Sequence, residues 1–289
     1  MNIIIGSAQF GLDYGISNRN GIVSNKKIKN IIDLAAKNGI SEIDTAVNYG
    51  SSHAAIGGVE HSLEISSKLP EINLDEDDIS DQIFKIFSKS LQELNKSKLK
   101  TLYLHSPQQL LQPNGKFIYE SLLTLKSQKL IKNIGISVYD PNEVLEIIRN
   151  FDIDVVQLPF NLIDQRFNEK HLLEKLKEKK IEVNCRSIFL QGLLLMPLHD
   201  LPKQFEKWQG LFLSWTNWLK VNQIHPVHAC IAFAAMNQNI DNIVVGIESL
   251  VQLEQIISFF SKNNFSELSF PNIKSDDSTL VNPSFWSKG

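Results

Sequence analysis

Residues 132–160 read KNIGISVYDPNEVLEIIRNFDIDVVQLPF, and this stretch decides the fold. KNIGIS (132–137) and DVVQLPF (154–160) are short apolar runs typical of buried strands. Between them, PNEVLEIIRN (141–150) repeats apolar residues at three- and four-residue steps, which indicates an amphipathic helix. A strand, a helix and a second strand in this order predict a βαβ unit with parallel strands.

The same alternation runs along most of the chain. We predict eight strands, at residues 3–9, 41–46, 63–69, 101–106, 132–137, 154–160, 182–189 and 242–247. Amphipathic helices are predicted at residues 28–39, 79–95, 116–130, 141–150, 170–180 and 249–260. An open doubly wound sheet is the alternative, but no G-x-G-x-x-G turn follows the first strand. The sequence therefore predicts a single-domain (β/α)8 TIM barrel over residues 1–289.

Two segments depart from the alternation. Residues from about 191 to 226 are longer than a normal connector and include Trp208, Trp215 and Trp218. We expect them to form an insertion at the rim with an additional helix. The tail, residues 265–289, contains prolines as well as aromatic residues, so it is either a frayed terminus or a closing flap.

Composition narrows the class of protein. Hydrophobic residues make up 43% of the chain and charged residues 21%, which is typical of a soluble globular domain. The net charge of -3 argues against a nucleic-acid partner, and no apolar run is long enough to span a membrane. Cys185 and Cys230 lie far apart and are interpreted as buried thiols, so we expect a protein of the reducing cytoplasm. His225 and His228 form only a weak metal motif, so we expect no metal site.

Four polar residues fall at or just beyond the ends of consecutive predicted strands: Asp44, Tyr49, Lys68 and His105. In a barrel, the carboxyl ends of the strands meet at one rim, where active sites are built. Each residue taken alone has a structural explanation, such as a turn cap or a rim aromatic. The presence of all four residues at one rim favours a catalytic role.

Their chemistry suits proton delivery to a carbonyl oxygen. A tyrosine with a pKa of about 10 is a weak acid at neutral pH. A nearby ammonium group, here Lys68, is expected to lower that pKa, and Asp44 is expected to keep the lysine charged. His105 either donates a hydrogen bond to the carbonyl oxygen or relays a proton to Tyr49.

These segments resemble the aldo-keto reductase family. The similarity covers GISEIDTAVNYG (39–50), the SKL around Lys68 and YLHSP (103–107), and it extends to about Phe260. It implies that Asp44, Tyr49, Lys68 and His105 form a catalytic tetrad. It also implies hydride transfer from a nicotinamide cofactor to the carbonyl carbon of a small molecule, catalysed by a monomer.

Four later segments resemble the family's cofactor site: GISVY (135–139), QLPFN (157–161), CRSIFLQGLL (185–194) and VVGIESLVQLEQI (244–256). The resemblance implies cofactor contacts from Ser137, Gln157, Arg186, Ser187, Gln191, Gly192, Gly246, Gln252 and Gln255. Arg186 replaces the usual aromatic residue that stacks on the nicotinamide. The last segment lacks the usual basic residue for the 2′-phosphate and carries Glu248, so NADPH is the family expectation and NADH is also open.

Two further segments, SAQFGLDYGISN (7–18) and SIFLQGLLLMP (187–197), resemble a bacterial branch of this family that is associated with surface-polysaccharide and nucleotide-sugar pathways. This implies a polar carbonyl such as an oxidised sugar as substrate. Asp13, Tyr14, Asn18 and Arg19 either contact such a ligand or only shape a turn. The second interpretation of the whole chain is a non-catalytic barrel that reports nicotinamide redox state to a partner, and an exposed tryptophan patch would support it.

Overall fold

The computed structural model describes residues 1–75, 78–262 and 268–286. Within these ranges, eight parallel strands pair in sequence order and close into one barrel, which confirms the predicted (β/α)8 fold. The strands are β1 Asn2–Gly6, β2 Glu42–Asp44, β3 Glu64–Leu69, β4 Leu99–Leu104, β5 Ile131–Ser137, β6 Val155–Pro159, β7 Glu182–Arg186 and β8 Asn242–Gly246.

Helices surround the barrel. They are α1 Ala8–Gly11, α2 Asn25–Lys37, α3 Ser52–Gly57, α4 Ile79–Leu94, α5 Gly115–Ser127, α6 Pro141–Asn150, α7 Leu172–Glu178, α8 Gln209–Asn222, α9 Pro226–Ala235, α10 Leu250–Lys262 and α11 Ser278–Val281. Short 3₁₀ turns lie at Pro107–Leu111, Arg166–His171, Leu190–Leu195, Leu198–Asp200, Lys203–Trp208 and Pro283–Phe285. None of the helices in the described ranges has the length and apolar character needed to cross a membrane.

Local sequence accounts for where the helices start and stop, as α4 illustrates. The Asp78 side chain accepts a hydrogen bond from the backbone N–H of Asp81 at 2.7 Å, which satisfies one free donor of the first turn. Asn95 ends the helix in the left-handed conformation, with φ of 52°. Ile83 and Phe87, four residues apart, are buried and direct the apolar stripe towards the barrel.

Helix α9 was missed by the sequence analysis. Its sequence, PVHACIAFAA, is apolar on nearly all sides, so it has no stripe of period 3.6 to detect. In the structure Ala229, Cys230 and Ile231 are all buried on this helix, and Cys185 is buried on β7, which confirms that both cysteines are buried thiols.

Strand pairing brings the predicted site residues to one end of the barrel. Gly6 on β1 pairs with both Asp44 on β2 and Gly246 on β8. Ser137 on β5 pairs with Gln157 on β6. Because all strands are parallel, these residues lie together at the carboxyl-terminal rim.

The rim segment and the tail pack against each other. Trp215 is buried and stacks on Trp218 with ring centroids 5.6 Å apart, and Trp218 stacks on Phe270 of the tail at 5.0 Å. Tail residue Ile273 is buried, and the N–H of Ser275 donates to the carbonyl of Ile163 at 2.9 Å. The described part of the tail is therefore docked on the rim rather than frayed.

Candidate active site

A cleft opens at the carboxyl-terminal rim and encloses about 920 Å³, including space continuous with solvent. Its lining includes Asp44, Tyr49, His105, Ser137, Gln157, Arg186, Ser187, Gln191, Gly192, Gly246 and Gln252. Lys68 is not itself part of the lining. It is buried next to Asp44, to which its ammonium group donates a hydrogen bond. Gln255, the remaining predicted cofactor residue, is exposed on α10 outside this lining, and its contact with a cofactor stays a prediction.

Asp44 organises the inner end of the cleft through both carboxylate oxygens. The Lys68 ammonium donates to Oδ1 at 2.5 Å, and the Gln157 amide donates to Oδ2 at 2.8 Å. Lys68 also donates to the carbonyl oxygen of Thr45 at 3.2 Å. Asp44 and Lys68 are 3% and 1% exposed, so this ion pair is shielded from water and screened little by salt. Asp44 therefore holds the ammonium of Lys68 in place.

Tyr49 and His105 face each other beside that ion pair. Their rings meet edge to face, with centroids 6.2 Å apart. The Lys68 ammonium lies 5.1 Å from the centroid of the Tyr49 ring. A tight turn after β2 places the tyrosine, because the N–H of Tyr49 donates to the carbonyl of Ala46 at 3.1 Å. The four predicted catalytic residues are thus brought together.

Burial dominates the proton affinities of these groups. It raises the pKa of Tyr49, and the negative charge of Asp44 raises it further, whereas Arg186 lowers it. The sequence had predicted that Lys68 would lower the pKa of Tyr49. The pKa is raised instead, because desolvation of the phenolate outweighs the nearby positive charges. Burial lowers the pKa of Lys68, and Asp44 opposes that change.

His105 is a neutral imidazole at neutral pH. Its pKa is lowered to about 4, first by burial and then by the positive charges of Lys68 and Arg186. A neutral ring has one N–H donor and one acceptor nitrogen. His105 is therefore able to donate a hydrogen bond without bringing a formal charge to the site.

Arg186 is held against the cleft wall by three contacts. Its guanidinium lies 4.0 Å from the centroid of the Tyr139 ring and donates to the Val138 carbonyl at 2.9 Å and to the Ser187 hydroxyl at 3.3 Å. The stacking on Tyr139 orients the guanidinium plane. Tyr139 was not identified from the sequence as a lining residue.

The loop after β7 has an unusual backbone. Ser187, Leu190 and Gln191 have φ values of 58°, 48° and 51°, which residues other than glycine rarely adopt. The next residue, Gly192, has φ of 92°, and a Cβ there would lie 1.8 Å from the Ser17 hydroxyl. Strain of this kind persists only where neighbouring structure enforces it, and it clusters at binding sites.

Contacts from other segments hold this loop. The Asn161 amide donates to the Ser187 carbonyl at 3.0 Å, and the Gln191 amide donates to the Tyr14 hydroxyl at 3.0 Å. Among the residues of the first loop singled out from the sequence, Tyr14 lines the cleft. Asn18 shapes a turn, because its side-chain oxygen accepts from the N–H of Gly21 at 3.1 Å. Arg19 is exposed and pairs with Asp200.

Gln9 is a cleft residue that the sequence analysis missed. It is 9% exposed, lies on α1 three residues after the end of β1, and packs on Gly246, where a Cβ would lie 2.8 Å from the Gln9 amide. Within the described residues, its Oε1 atom is buried without a hydrogen-bond partner. The strand-end rule that identified Asp44 and His105 would also have identified Gln9, because Gln9 is polar and comes just after a strand.

No cluster of His, Cys, Asp and Glu able to hold a metal ion occurs in residues 1–75, 78–262 and 268–286. The cleft thus offers carboxamide, hydroxyl and guanidinium groups to an organic ligand.

Residues 2–277 match the model of the Aldo/keto reductase family, and the chain therefore belongs to this family of oxidoreductases, which act on small-molecule carbonyls. No curated protein is similar enough in sequence to count as a match.

Solved structures show the same fold. The aldo-keto reductase AKR11C1 from Bacillus halodurans in its holo form is similar with a TM-score of 0.71 and 16% identity, over 94% of this chain and 89% of that chain. A Pseudomonas aeruginosa protein assigned to the aldo-keto reductases is similar with a TM-score of 0.65 and 19% identity, over 89% of this chain and 88% of that chain.

Proposed function

We propose that this chain reduces an aldehyde or ketone by hydride transfer from a reduced nicotinamide dinucleotide, with Tyr49 as the proton donor. The observation that carries the proposal is the meeting of Tyr49 and His105 beside the buried Asp44–Lys68 ion pair at one end of the cleft. Family membership supports carbonyl reduction in general.

Tyr49 is proposed to supply the proton. Its raised pKa keeps the phenol protonated across the neutral range, which is the form that donates. As hydride reaches the carbonyl carbon, negative charge develops on the carbonyl oxygen, and the phenol proton passes to that oxygen. The phenolate that remains is stabilised by the ammonium of Lys68, which faces the same ring. Lys68 therefore lowers the barrier to donation without making Tyr49 acidic in the resting site.

His105 is proposed to polarise the carbonyl. Its low pKa leaves it neutral, and a neutral N–H aimed at the oxygen stabilises the developing charge. A neutral imidazole also avoids placing a third positive charge beside Lys68 and Arg186, whose charges add to the effect of burial in lowering the pKa of His105.

The lining fits a nicotinamide dinucleotide, which supplies the hydride when bound. Ser137 and Gln157, paired on neighbouring strands, are proposed to hold the carboxamide, and the flat guanidinium of Arg186 is proposed to stack on the ring. The loop from Ser187 to Gly192 is proposed to carry the pyrophosphate on backbone N–H groups other than those of Leu190 and Gly192, which donate to the carbonyls of Ser187 and Phe189. The unpartnered Gln9 oxygen is a free acceptor on the same surface.

We further propose a polar carbonyl, such as an oxidised sugar, as substrate. Tyr14 and Tyr139 line the same cleft as Tyr49 and Arg186, and they offer hydroxyl groups to a hydroxylated ligand.

An exposed patch of Trp208, Trp215 and Trp218 would have supported the non-catalytic alternative. Trp215 is buried, whereas Trp218 is half-buried and stacks on Phe270. The tryptophans thus contribute to packing of the rim.

The decisive experiment compares wild type with Tyr49→Phe. Reduction of a carbonyl panel that includes keto-sugars is followed as loss of cofactor absorbance, and cofactor affinity is measured by fluorescence quenching. We expect turnover to fall by about 10²–10⁴-fold with cofactor affinity nearly unchanged. Tyr119→Phe, at an exposed hydroxyl that bonds the Asp152 carbonyl, is the control and should retain turnover. Equal turnover in wild type and Tyr49→Phe would refute the role of Tyr49.

A further inference from the structure

The end of the cleft at β8 carries negative charge. Glu248 lines the cleft just after β8, and Asp13 is close enough to raise the pKa of its carboxyl group in addition to the effect of burial. Among the described residues that line the cleft, Arg186 is the single Lys or Arg, and it is held on Val138 and Ser187. A phosphate at the β8 end would therefore face carboxylates without a paired cation.

This end also carries hydrogen-bond acceptors that have no donors. Within the described residues, the Glu248 carboxylate has no ion pair. The Oε1 atom of Gln9, which packs on Gly246 two residues before Glu248, is buried and lacks a partner. A buried acceptor without a donor is costly, so the Gln9 oxygen, beside the half-buried carboxylate of Glu248, points to a ligand that brings O–H or N–H groups.

Three backbone donors at the start of α10 already have acceptors within the chain. The N–H of Glu248 donates to the Gln252 side-chain oxygen at 2.9 Å, and the N–H of Gln252 donates to the Ser249 hydroxyl at 3.3 Å. The N–H of Leu253 donates to the Ser249 carbonyl at 3.2 Å. The start of α10 is therefore capped by its own side chains.

The position of the nicotinamide limits where the adenosine end of the same cofactor can lie. Hydride transfer requires the nicotinamide beside Tyr49 and His105. The same cleft is also lined by Arg186, by residues of the Ser187–Gly192 loop, and by Gly246 and Glu248. We infer that a dinucleotide with its nicotinamide at Tyr49 extends along this lining and brings its adenosine ribose to Glu248.

We propose that Glu248, assisted by Gln9, selects NADH over NADPH by accepting hydrogen bonds from the ribose hydroxyls of the cofactor. This inference rests on the proposed function. In NADH the 2′-position is a hydroxyl donor, which an acidic side chain binds well. In NADPH it is a phosphate, which carries a charge of about -1.5 to -2 and brings only acceptors to a site of acceptors. Charge and hydrogen bonding therefore both favour NADH over NADPH.

The test measures dissociation constants for NADH and NADPH by isothermal titration calorimetry, so it does not depend on turnover. We expect wild type to bind NADH at least about tenfold more tightly than NADPH, since one hydrogen bond to a charged group is worth about that factor. Glu248→Lys should lower the ratio of the two constants by about tenfold or more. Glu248→Gln, which keeps the shape of the side chain, should lower it less.

The matched control is Glu254→Lys. Glu254 lies exposed on the same helix, outside the cleft lining, and the substitution changes net charge by the same amount. It should leave the ratio within about twofold of wild type, and an equal effect from both lysine variants would overturn the role of Glu248. The preference of wild type should also weaken as salt is raised, because part of it is repulsion between charges.

The remaining outcomes separate this inference from the proposed function. Tighter binding of NADPH than NADH by wild type, or equal binding, would overturn the selection of NADH and leave the reductase proposal standing. Failure of folded wild type to bind either cofactor would overturn the proposed function itself. Gln9→Met, which removes the free acceptor but keeps the length, should weaken NADH binding by about threefold to tenfold.

Discussion

The ammonium of Lys68 donates to Oδ1 of Asp44 over 2.5 Å in a position where both side chains are almost completely buried. The two residues come from neighbouring strands, β2 and β3, and are 24 positions apart in sequence. Neither charge would be stable alone at this depth, because burial penalises the charged form of each. Removing one member therefore leaves the other as an uncompensated buried charge.

Asp44→Asn should destabilise the fold by about 3 kcal/mol, because the Lys68 ammonium loses its counter-ion. The substitution should also lower the pKa of Lys68 further, because Asp44 raises it in wild type. The lysine of the variant should therefore lose its proton at a lower pH than the lysine of wild type. Urea unfolding at several pH values measures the first effect, and the pH profile of carbonyl reduction measures the second. Asp33→Asn, in the exposed pair with Lys29, should cost less than about 1 kcal/mol. Similar losses in both variants would contradict the prediction.

His105 should make stability depend on pH. Its pKa is about 4 in the folded chain and about 6.5 when unfolded, so the unfolded chain takes up the proton first as pH falls. The stabilisation is complete above about pH 6.5 and is lost as pH falls towards 4. Between pH 7 and pH 4.5, wild type should lose about 2 kcal/mol more than His105→Gln, as measured by chemical denaturation. An equal loss of stability in wild type and His105→Gln would show that burial does not lower the pKa of His105.

Gly192→Ala should weaken cofactor binding by about tenfold or more. The new methyl group would collide with the Ser17 hydroxyl, and the φ of 92° disfavours any residue with a Cβ. The loop that carries Gln191 would have to move as a result. Gly210→Ala is the control, because a Cβ at that position of α8 has no neighbour within 4 Å. Unchanged NADH affinity in Gly192→Ala would show that the loop does not contact the cofactor.

Phe270→Ala should release the tail from the rim. Phe270 stacks on Trp218 and meets Phe233 edge to face, so its loss should destabilise the protein by about 2 kcal/mol. Tryptophan emission should shift to longer wavelength, because Trp218 gains contact with water. Phe285→Ala, at a side chain that is 62% exposed, should change neither quantity appreciably. An unaltered emission spectrum for Phe270→Ala would argue against the stack.

Much of the fold could be predicted because its signals are local. The alternation of apolar runs and amphipathic segments depends on residues within a few positions of each other, and it predicted eight strands and the closed barrel that the structure confirms. Strand ends were less certain. β1 ends at Gly6 and β7 at Arg186, each three residues before the predicted end, since the chain turns there into α1 and into the strained loop at Ser187.

The amino-acid sequence by itself determined the barrel and put Asp44, Tyr49, Lys68 and His105 at the ends of consecutive strands, because periodicity and strand ends are properties of neighbouring residues. Tertiary structure alone decided that burial raises the pKa of Tyr49, that Arg186 lies flat on Tyr139, and that Gln9 and Glu248 leave acceptors open in one cleft. Desolvation and hydrogen-bond satisfaction depend on groups from strands far apart in sequence, and only closure of the barrel brings those groups together.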